Sequence, residues 1–501
     1  MKKLIACIIA VIMVVSLASV LGACNNRTLP GFQIPEGGYD GSPVTIKFFS
    51  SMGQAYEDIL NYYVDQFKEL YPNITIEHTR GGDYDSVRDD IKIQLGNGQS
   101  PNVAFCYSDH VALYNRSKAV VTLDELIASQ IEVTRQDGTT EILGLTEKQK
   151  GDFIQTYYNE GKSFGDDKMY MLPFAKSTEL MYYNVTAFEE WGLEVPDHWF
   201  ASDGKEGKET SDKTSMEYVL AVIKEKDPKS TPLGVDSGAN WLITLFEQFE
   251  TGYTKASGPD HYLFDNEDNY NILETLRRWY QNNWFTTRAL LSGTYTSTYF
   301  TSLNSDEGKK SYISIGSSAG AAKQVPSKIN GEYPFVVGVA MIPQKTAGMT
   351  NKAGAENFDY SNCKVISQGP SICIFNSANP QEVLASWLLV KFLTTNAEFE
   401  ARYGMEAGYL PVIQSVKDLK AYSDKLANAN TGENMSGMAA KLCSEFKDAF
   451  FVSPAFYGSA EARDQMDVLL NKCVVVSGAT PDAIKAGIKQ EFKNALAKCD
   501  Q

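Results

Sequence analysis

Between Val44 and Phe105 the apolar residues switch period four times, and that alternation restricts the fold more than any other feature of the chain. Val44-Thr45-Ile46-Lys47-Phe48-Phe49 reads as a strand ending at the small, polar Ser50-Ser51. From Tyr56 to Leu70, the residues Ile59, Tyr62, Tyr63, Val64, Phe67 and Leu70 recur close to helical period, and Tyr71-Pro72-Asn73 stops the helix. Ile74 to Glu77 is a second strand. Tyr84 to Leu95 is a second helix, stopped by Gly96-Asn97-Gly98, and Pro101 to Phe105 is a third strand. Strand, helix, strand, helix, strand at this spacing predicts a parallel sheet with helices on its faces. Ligands of such α/β sheets bind beyond the C-terminal ends of the strands.

The rest of the chain extends this pattern without an internal repeat. Met171 to Phe174 and Leu180 to Asn184 are strand-like, and the more polar stretch from Gln130 to Gly165 decorates an edge. Asn271 to Trp284 predicts an amphipathic helix. Gln381 to Phe399 predicts one long helix, capped by Asn379 with Pro380 in its first position.

The N-terminus fixes the compartment. Met1-Lys2-Lys3 is basic, the run from Leu4 to Leu21 carries no charge, and Gly22-Ala23-Cys24 follows. Its length alone would suit a membrane span, but its position and small-residue end are those of a secretory signal. The Leu21-Gly22-Ala23-Cys24 tetrad resembles the bacterial lipobox. That resemblance implies removal of residues 1–23 and a lipidated (palmitate-bearing) Cys24, with 24–43 as a flexible tether rich in Gly and Pro.

The formal charge is −16, and becomes −18 when Lys2 and Lys3 leave, which argues against nucleic acid or anionic lipid as a partner. Six cysteines besides Cys7 and Cys24 (Cys106, Cys363, Cys373, Cys443, Cys473, Cys499) are scattered, and their spacing assigns no disulfide. The four histidines show no metal-ligand spacing. No G-x-x-x-x-G-K-[ST], G-x-S-x-G or H-E-x-x-H pattern occurs, so no cofactor, metal or catalytic residue is expected.

Five separated segments then match one family in order: Phe67-Lys68-Glu69-Leu70-Tyr71-Pro72-Asn73-Ile74, Leu172-Pro173-Phe174 leading to Tyr182-Tyr183-Asn184, Gly192-Leu193-Glu194-Val195-Pro196 before Trp199, Asn379-Pro380 with Trp387 and Lys391-Phe392-Leu393-Thr394, and Gly408-Tyr409-Leu410-Pro411-Val412. Together they resemble the extracellular solute-binding proteins of ABC importers, of the carbohydrate type that includes maltose-binding protein. The resemblance implies a periplasmic-binding-protein-like α/β fold: two lobes, three hinge crossings and a ligand cleft between. Lobe one would span 44–178 and 344–406, and lobe two 184–340 and 409–501. The implied protein is a monomeric, lipid-anchored receptor on the outer face of the cytoplasmic membrane, delivering a carbohydrate, in the first place an oligosaccharide, to an ABC permease. A peptide, polyol phosphate or metal chelate is the alternative solute, and a secreted glycosidase using two carboxylates the alternative class.

Sugars offer hydroxyls to carboxylates and amides, and C–H faces to aromatic rings. The loop after the first strand supplies Ser51 and Met52; that after the third supplies Asp109 and His110. Asp109 is the first choice for sugar hydroxyls, with a helix N-cap as its competing role. His110 is by default a satisfied surface histidine. In the crossing segment, Ser177 and Glu179 share a face, and Glu179 is either a ligand carboxylate or half of a hinge salt bridge. Asn240 and Trp241 open a helix-like run where the family often sets a stacking ring. Ser317, in the Gly316-Ser317-Ser318 turn, puts a hydroxyl where the family commonly follows Gly with a small or aromatic residue. Phe456 and Tyr457 stand where the family supplies another ring; for Trp241 and this pair, core packing is the competing role.

Overall fold

Strand β1 (Val44–Ser50) buries Val44, Ile46 and Phe48 on one face and leaves Thr45 and Lys47 exposed on the other, so its sheet is covered more heavily on one side. The computed structural model describes residues 31–499 except 52, 54, 55, 351–358 and 431. The leader, Cys24 and Met52 therefore lie outside the described residues.

In chain order follow α1 (Glu57–Leu70), β2 (Ile74–Arg80), α2 (Tyr84–Gly96), β3 (Val103–Cys106), α3 (Ser108–Tyr114), β4 (Met171–Pro173), β5 (Glu179–Asn184), β6 (Leu233–Val235), α4 (Gly238–Gln248), α5 (Glu267–Gln281), β7 (Phe285–Thr287), β8 (Ile313–Ser317), β9 (Val337–Met341), β10 (Ser371–Ile374), α6 (Pro380–Thr394), α7 (Ala397–Ala407) and α8 (Ser459–Val474), with shorter pieces between. They form two five-stranded sheets, one in each lobe, ordered β2-β1-β3-β10-β4 and β9-β5-β8-β6-β7. Strands β2, β1 and β3 are parallel, as are β8, β6 and β7. In each sheet one strand, β10 or β5, runs antiparallel to both neighbours.

Both antiparallel strands enter their lobe from the crossing region. A strand that starts at the cleft must run away from it, against strands whose C-terminal ends point at it. The crossing itself is a reciprocal backbone pair: Ser177 N donates to Gln368 O at 2.9 Å and Gln368 N to Ser177 O at 2.8 Å. Lys176 N and Leu410 O make a third strand contact beside it at 2.9 Å.

Three details depart from the sequence expectation. The segment 31–43 does not hang free: Tyr39 is buried against Tyr71, and Phe32 and Ile34 pack on the core. The single helix expected from Gln381 to Phe399 is two, because the Asn396 side chain accepts from the amides of Glu398 and Phe399 and starts α7 anew. Its upstream start is as expected, with Asn379 capping and Pro380 in the first turn. Finally, Gln344 and Lys364 pack on elements of the second lobe: Gln344 bridges His198, and the Gln248 amide donates to Lys364 O at 3.0 Å. The chain thus rejoins the first sheet's side near Ser367 rather than at 344.

The six cysteines from Cys106 to Cys499 are all buried, and among the described residues they form no disulfide. Among the described residues no helix is long and apolar enough to cross a membrane.

Candidate functional site

Strand β3 ends at Cys106, Tyr107 stays extended, and α3 begins at Ser108. This places Asp109 in the first turn, where unpaired amides and the helix dipole favour negative charge. Its Oδ1 accepts from its neighbour's amide, His110 N, at 2.9 Å. From the other lobe α8 carries Arg463 inward. The guanidinium donates to the Asn240 side-chain oxygen and to Gln368 Oε1, the latter at 3.1 Å. Asn240 in turn donates to Glu179 Oε1 at 2.7 Å. Arg463 also lies 5.6 Å from the centre of the Tyr107 ring. A cavity of about 30 Å³ opens where these groups meet, bounded by Tyr107, Ser108, Asp109, Tyr253, Gln368 and Arg463. It has room for one or two waters.

The electrostatics are set by burial. Glu179 is raised to about 7, first by desolvation; the Asn240 hydrogen bond opposes this and the nearby Asp236 adds to it. Its second oxygen, Oε2, is buried and unpartnered. Burial works against the charge of Arg463, but Asp109 is the first of the groups that outweigh it. No arginine or lysine forms an ion pair with Glu179 among the described residues, so the carboxylate keeps an acceptor free. Acceptors on Glu179 and Asp109, donors on Arg463 and Tyr107, and ring faces beside them match a ligand with many hydroxyls. Among the described residues no three acidic, histidine or cysteine side chains converge as a metal site.

Around the cavity's rim the lobes touch through side chains. Arg88 on α2 pairs with Asp464 on α8 at 3.1 Å. Desolvation raises the Asp464 carboxyl to about 6, with Arg88 pulling against it. Arg116 donates to the Tyr457 hydroxyl at 2.7 Å with its guanidinium 4.6 Å from that ring. The hydroxyls of Tyr84 and Tyr409 are 3.2 Å apart.

The structure thus brings Asp109, Ser177, Glu179 and Asn240 together, with Tyr457 on the rim. Ser51 stands at the end of β1 with a buried, unpartnered hydroxyl. The cap role of Asp109 is not seen: Tyr107 occupies the cap position, one residue before the helix starts at Ser108. His110 is 1% exposed instead of on the surface, set between the rings of Tyr107 and Tyr114, and burial lowers its pKa.

Trp241 is 2% exposed, packed on Trp199 and edge-on to Phe285, and presents no face to the cleft. The reason is its helix: α4 is buried on nearly every side, and a helix apolar all round sends its rings into the core. Phe456 is likewise turned inward, stacked on His261 at 4.3 Å. Ser317 caps the following helical turn by accepting from Ala319 N. Sequence reasoning missed Arg463, Gln368 and Tyr253. They come from three distant segments with no shared pattern, and no sequence signal marked any of them.

The profile described as bacterial extracellular solute-binding protein matches residues 62–430. A multiple sugar-binding protein of Streptococcus mutans is 24% identical over 236 residues, covering 47% of this chain and 45% of that protein, so the chain matches about half of that relative's length. Among solved structures, an ABC substrate-binding protein of Listeria monocytogenes in complex with cycloalternan aligns over 90% of this chain and 99% of its own, at a TM-score of 0.64 and 14% identity. The GacH receptor of Streptomyces glaucescens, solved unliganded and with acarbose, aligns over 90% and 98%, at 0.62 and 14%. A Mycobacterium tuberculosis protein in complex with glycerophosphocholine aligns over 92% and 99%, at 0.61 and 15%.

Proposed function

Because the chain belongs to the bacterial extracellular solute-binding proteins, we propose that it captures a carbohydrate, an oligosaccharide in the first instance, and delivers it to an ABC permease. It does so as a monomer held to the outer face of the membrane by lipid on Cys24. The carrying observation is that Asp109 from one lobe and Arg463 from the other line one cavity, with Glu179 of the crossing joined to Arg463 through the Asn240 side chain. The sugar-binding and oligosaccharide-bound relatives support the same reading. The working division is 44–178 with 367–406 against 184–340 with 409–501, Gln344 and Lys364 packing on the second lobe. Binding, not catalysis, is the proposed chemistry: the protein holds its sugar uncut, and incubation with a bound glycan should release no cleavage product.

A cavity of about 30 Å³ does not hold even one sugar ring, so entry requires the lobes to part and close again about their hinge. Asp109 and Glu179 accept hydroxyls, Arg463 donates, and Tyr457 offers a ring at the mouth. A glycan panel read by thermal unfolding tests this, since a ligand at 100 times its Kd adds about 2.7 kcal/mol. Small-angle scattering with the active glycan then reads closure as a fall in radius of gyration.

The buried guanidinium of Arg463 favours one second reading, a polyol phosphodiester, since guanidinium suits phosphate oxygens. The panel therefore includes glycerophosphocholine. Stabilisation by it and by no glycan replaces the sugar reading.

A further inference from the structure

The segment before β1 is fastened to one particular end of the first lobe. Tyr39 is 7% exposed, its ring 6.2 Å from that of Tyr71. Asp40 N donates to Gln381 Oε1 at 3.0 Å, the Gln381 amide donates to Gly38 O at 3.2 Å, and Asn73 Nδ2 donates to Gly41 O at 2.7 Å. Asn73 precedes β2 and Gln381 opens α6 just beyond the end of β10. These groups mark the N-terminal ends of β1 and β2. Asp109 and the cavity lie at the opposite ends, about 20 Å away along β1 at roughly 3.3 Å per residue.

We propose that residues 32–43 are a docked strap that holds the cleft-distal end of the first lobe to the lipid surface, and that its release lets the cleft reach a partner in the same membrane. The proposal rests on the lipid-anchor reading above. From Cys24 to Phe32 is eight residue steps, a reach of about 29 Å at most; from Cys24 to Val44 is twenty steps, about 72 Å at most. With the strap docked, the cleft sits farther from the bilayer than the strap end, and the second lobe farther still. Peeling the strap lengthens the leash more than twofold and frees the molecule to turn. The fastening suits a reversible contact: three hydrogen bonds made by two amide side chains, the buried Tyr39 ring, and the half-buried Phe32 and Ile34. The segment itself carries Glu36 and Asp40 and no lysine or arginine, so the leash, and not attraction to anionic lipid, sets the orientation.

The test uses the lipidated full-length protein in phosphatidylcholine vesicles that contain an energy-transfer acceptor lipid. A fluorophore is placed at Lys68→Cys, in the last turn of α1 beside the strap, or at Lys229→Cys, in the loop leading to β6; the six cysteines from Cys106 to Cys499 are buried and do not compete. Transfer from position 68 should exceed that from position 229 severalfold. Gln381→Ala alone, and with Tyr39→Ala, should lower transfer from position 68 toward the value at 229, with the unfolding temperature of the body unchanged. Equal transfer from both positions in a parent that floats with the vesicles overturns the strap, and unchanged transfer in the double variant overturns its release. Failure of the parent to float, with flotation no different in Cys24→Ala, overturns the anchor reading instead.

Discussion

The two sheets are built to one plan: three parallel strands, one antiparallel strand entering from the crossing, and one more strand at the edge leading out. They differ in how they reach the ligand. The first lobe presents Asp109 on the turn directly after β3, so the group is delivered by the strand that precedes it. The second lobe presents Arg463 from α8, some 220 residues beyond Asn240, the group it holds, and far from any strand end. One lobe offers a site written locally; the other assembles its site from a helix packed across the sheet. The difference teaches that the same sheet plan fixes where a cleft falls without fixing which segments furnish it.

The largest effect that could break this comparison concerns Trp241. As a core ring against Trp199 and Phe285, its replacement by Ala should cost about 3–5 kcal/mol of stability. Ligand affinity of the folded fraction should stay within about twofold. Urea unfolding beside calorimetry checks this. A variant of normal stability with lost affinity would mean that the second lobe does present a ring from α4, as the first lobe presents Asp109 from its turn.

Next is Asp109→Ala. Hydrogen bonds to a charged group contribute about 1.5–3 kcal/mol, so the Kd of the cognate glycan should rise roughly ten- to a hundredfold with the fold intact. The Asp109 side chain caps no helix, but it helps hold the buried Arg463 charged, so some stability is lost as well, and the Kd is read on the folded fraction. Calorimetry giving the parent Kd would remove Asp109 from the site and leave the locally written lobe without its carboxylate.

What was legible follows the same division. The periodicity from Val44 to Phe105 located three strands and two helices of the first lobe, because each element there is amphipathic and ends at Gly, Pro or Asn. Asp109 and Glu179 were legible because each sits within three residues of a strand end. Trp241 and Phe456 were misplaced because a ring's identity does not say which way its helix or turn is packed. Arg463 was invisible because its partners Asn240 and Gln368 are distant in sequence and adjacent only in the fold. Residues 31–43 looked like linker by composition, yet Tyr39 and Phe32 supply enough apolar surface to dock them.

The crossing between the lobes gives a third, smaller effect with a definite sign in pH. Burial raises Glu179 to about 7, above the ordinary value of 4.5. The folded protein therefore binds more protons than the unfolded chain between those values, and this group's contribution to stability is full below 4.5 and lost as pH rises through about 7. Ligand hydroxyls donate to the ionised form, so binding should release a proton. The Kd should rise by up to tenfold per pH unit below about 7 and level off above it. Glu179→Gln should flatten that profile. A parent profile already flat from pH 5 to 8 would show that Oε2 does not meet the ligand.

The smallest effect is at the rim, where Arg116 of the first lobe donates to Tyr457 of the second. Tyr457 is 49% exposed, and a cation over an exposed ring contributes about 0.5–1 kcal/mol. The contact joins residues of different lobes, so it exists only when the lobes are together and favours the closed form by that amount. Arg116→Ala should therefore raise the Kd about two- to fivefold through faster ligand release, with the association rate little changed. Tyr457→Phe keeps the ring under the guanidinium and removes the hydroxyl, and should give a smaller rise than Tyr457→Ala, which also removes the ring offered to the sugar. Stopped-flow release rates order the three variants. If Arg116→Ala and the parent release at the same rate while Tyr457→Ala is fast, the ring serves the ligand alone and the rim contact does not hold the two lobes together.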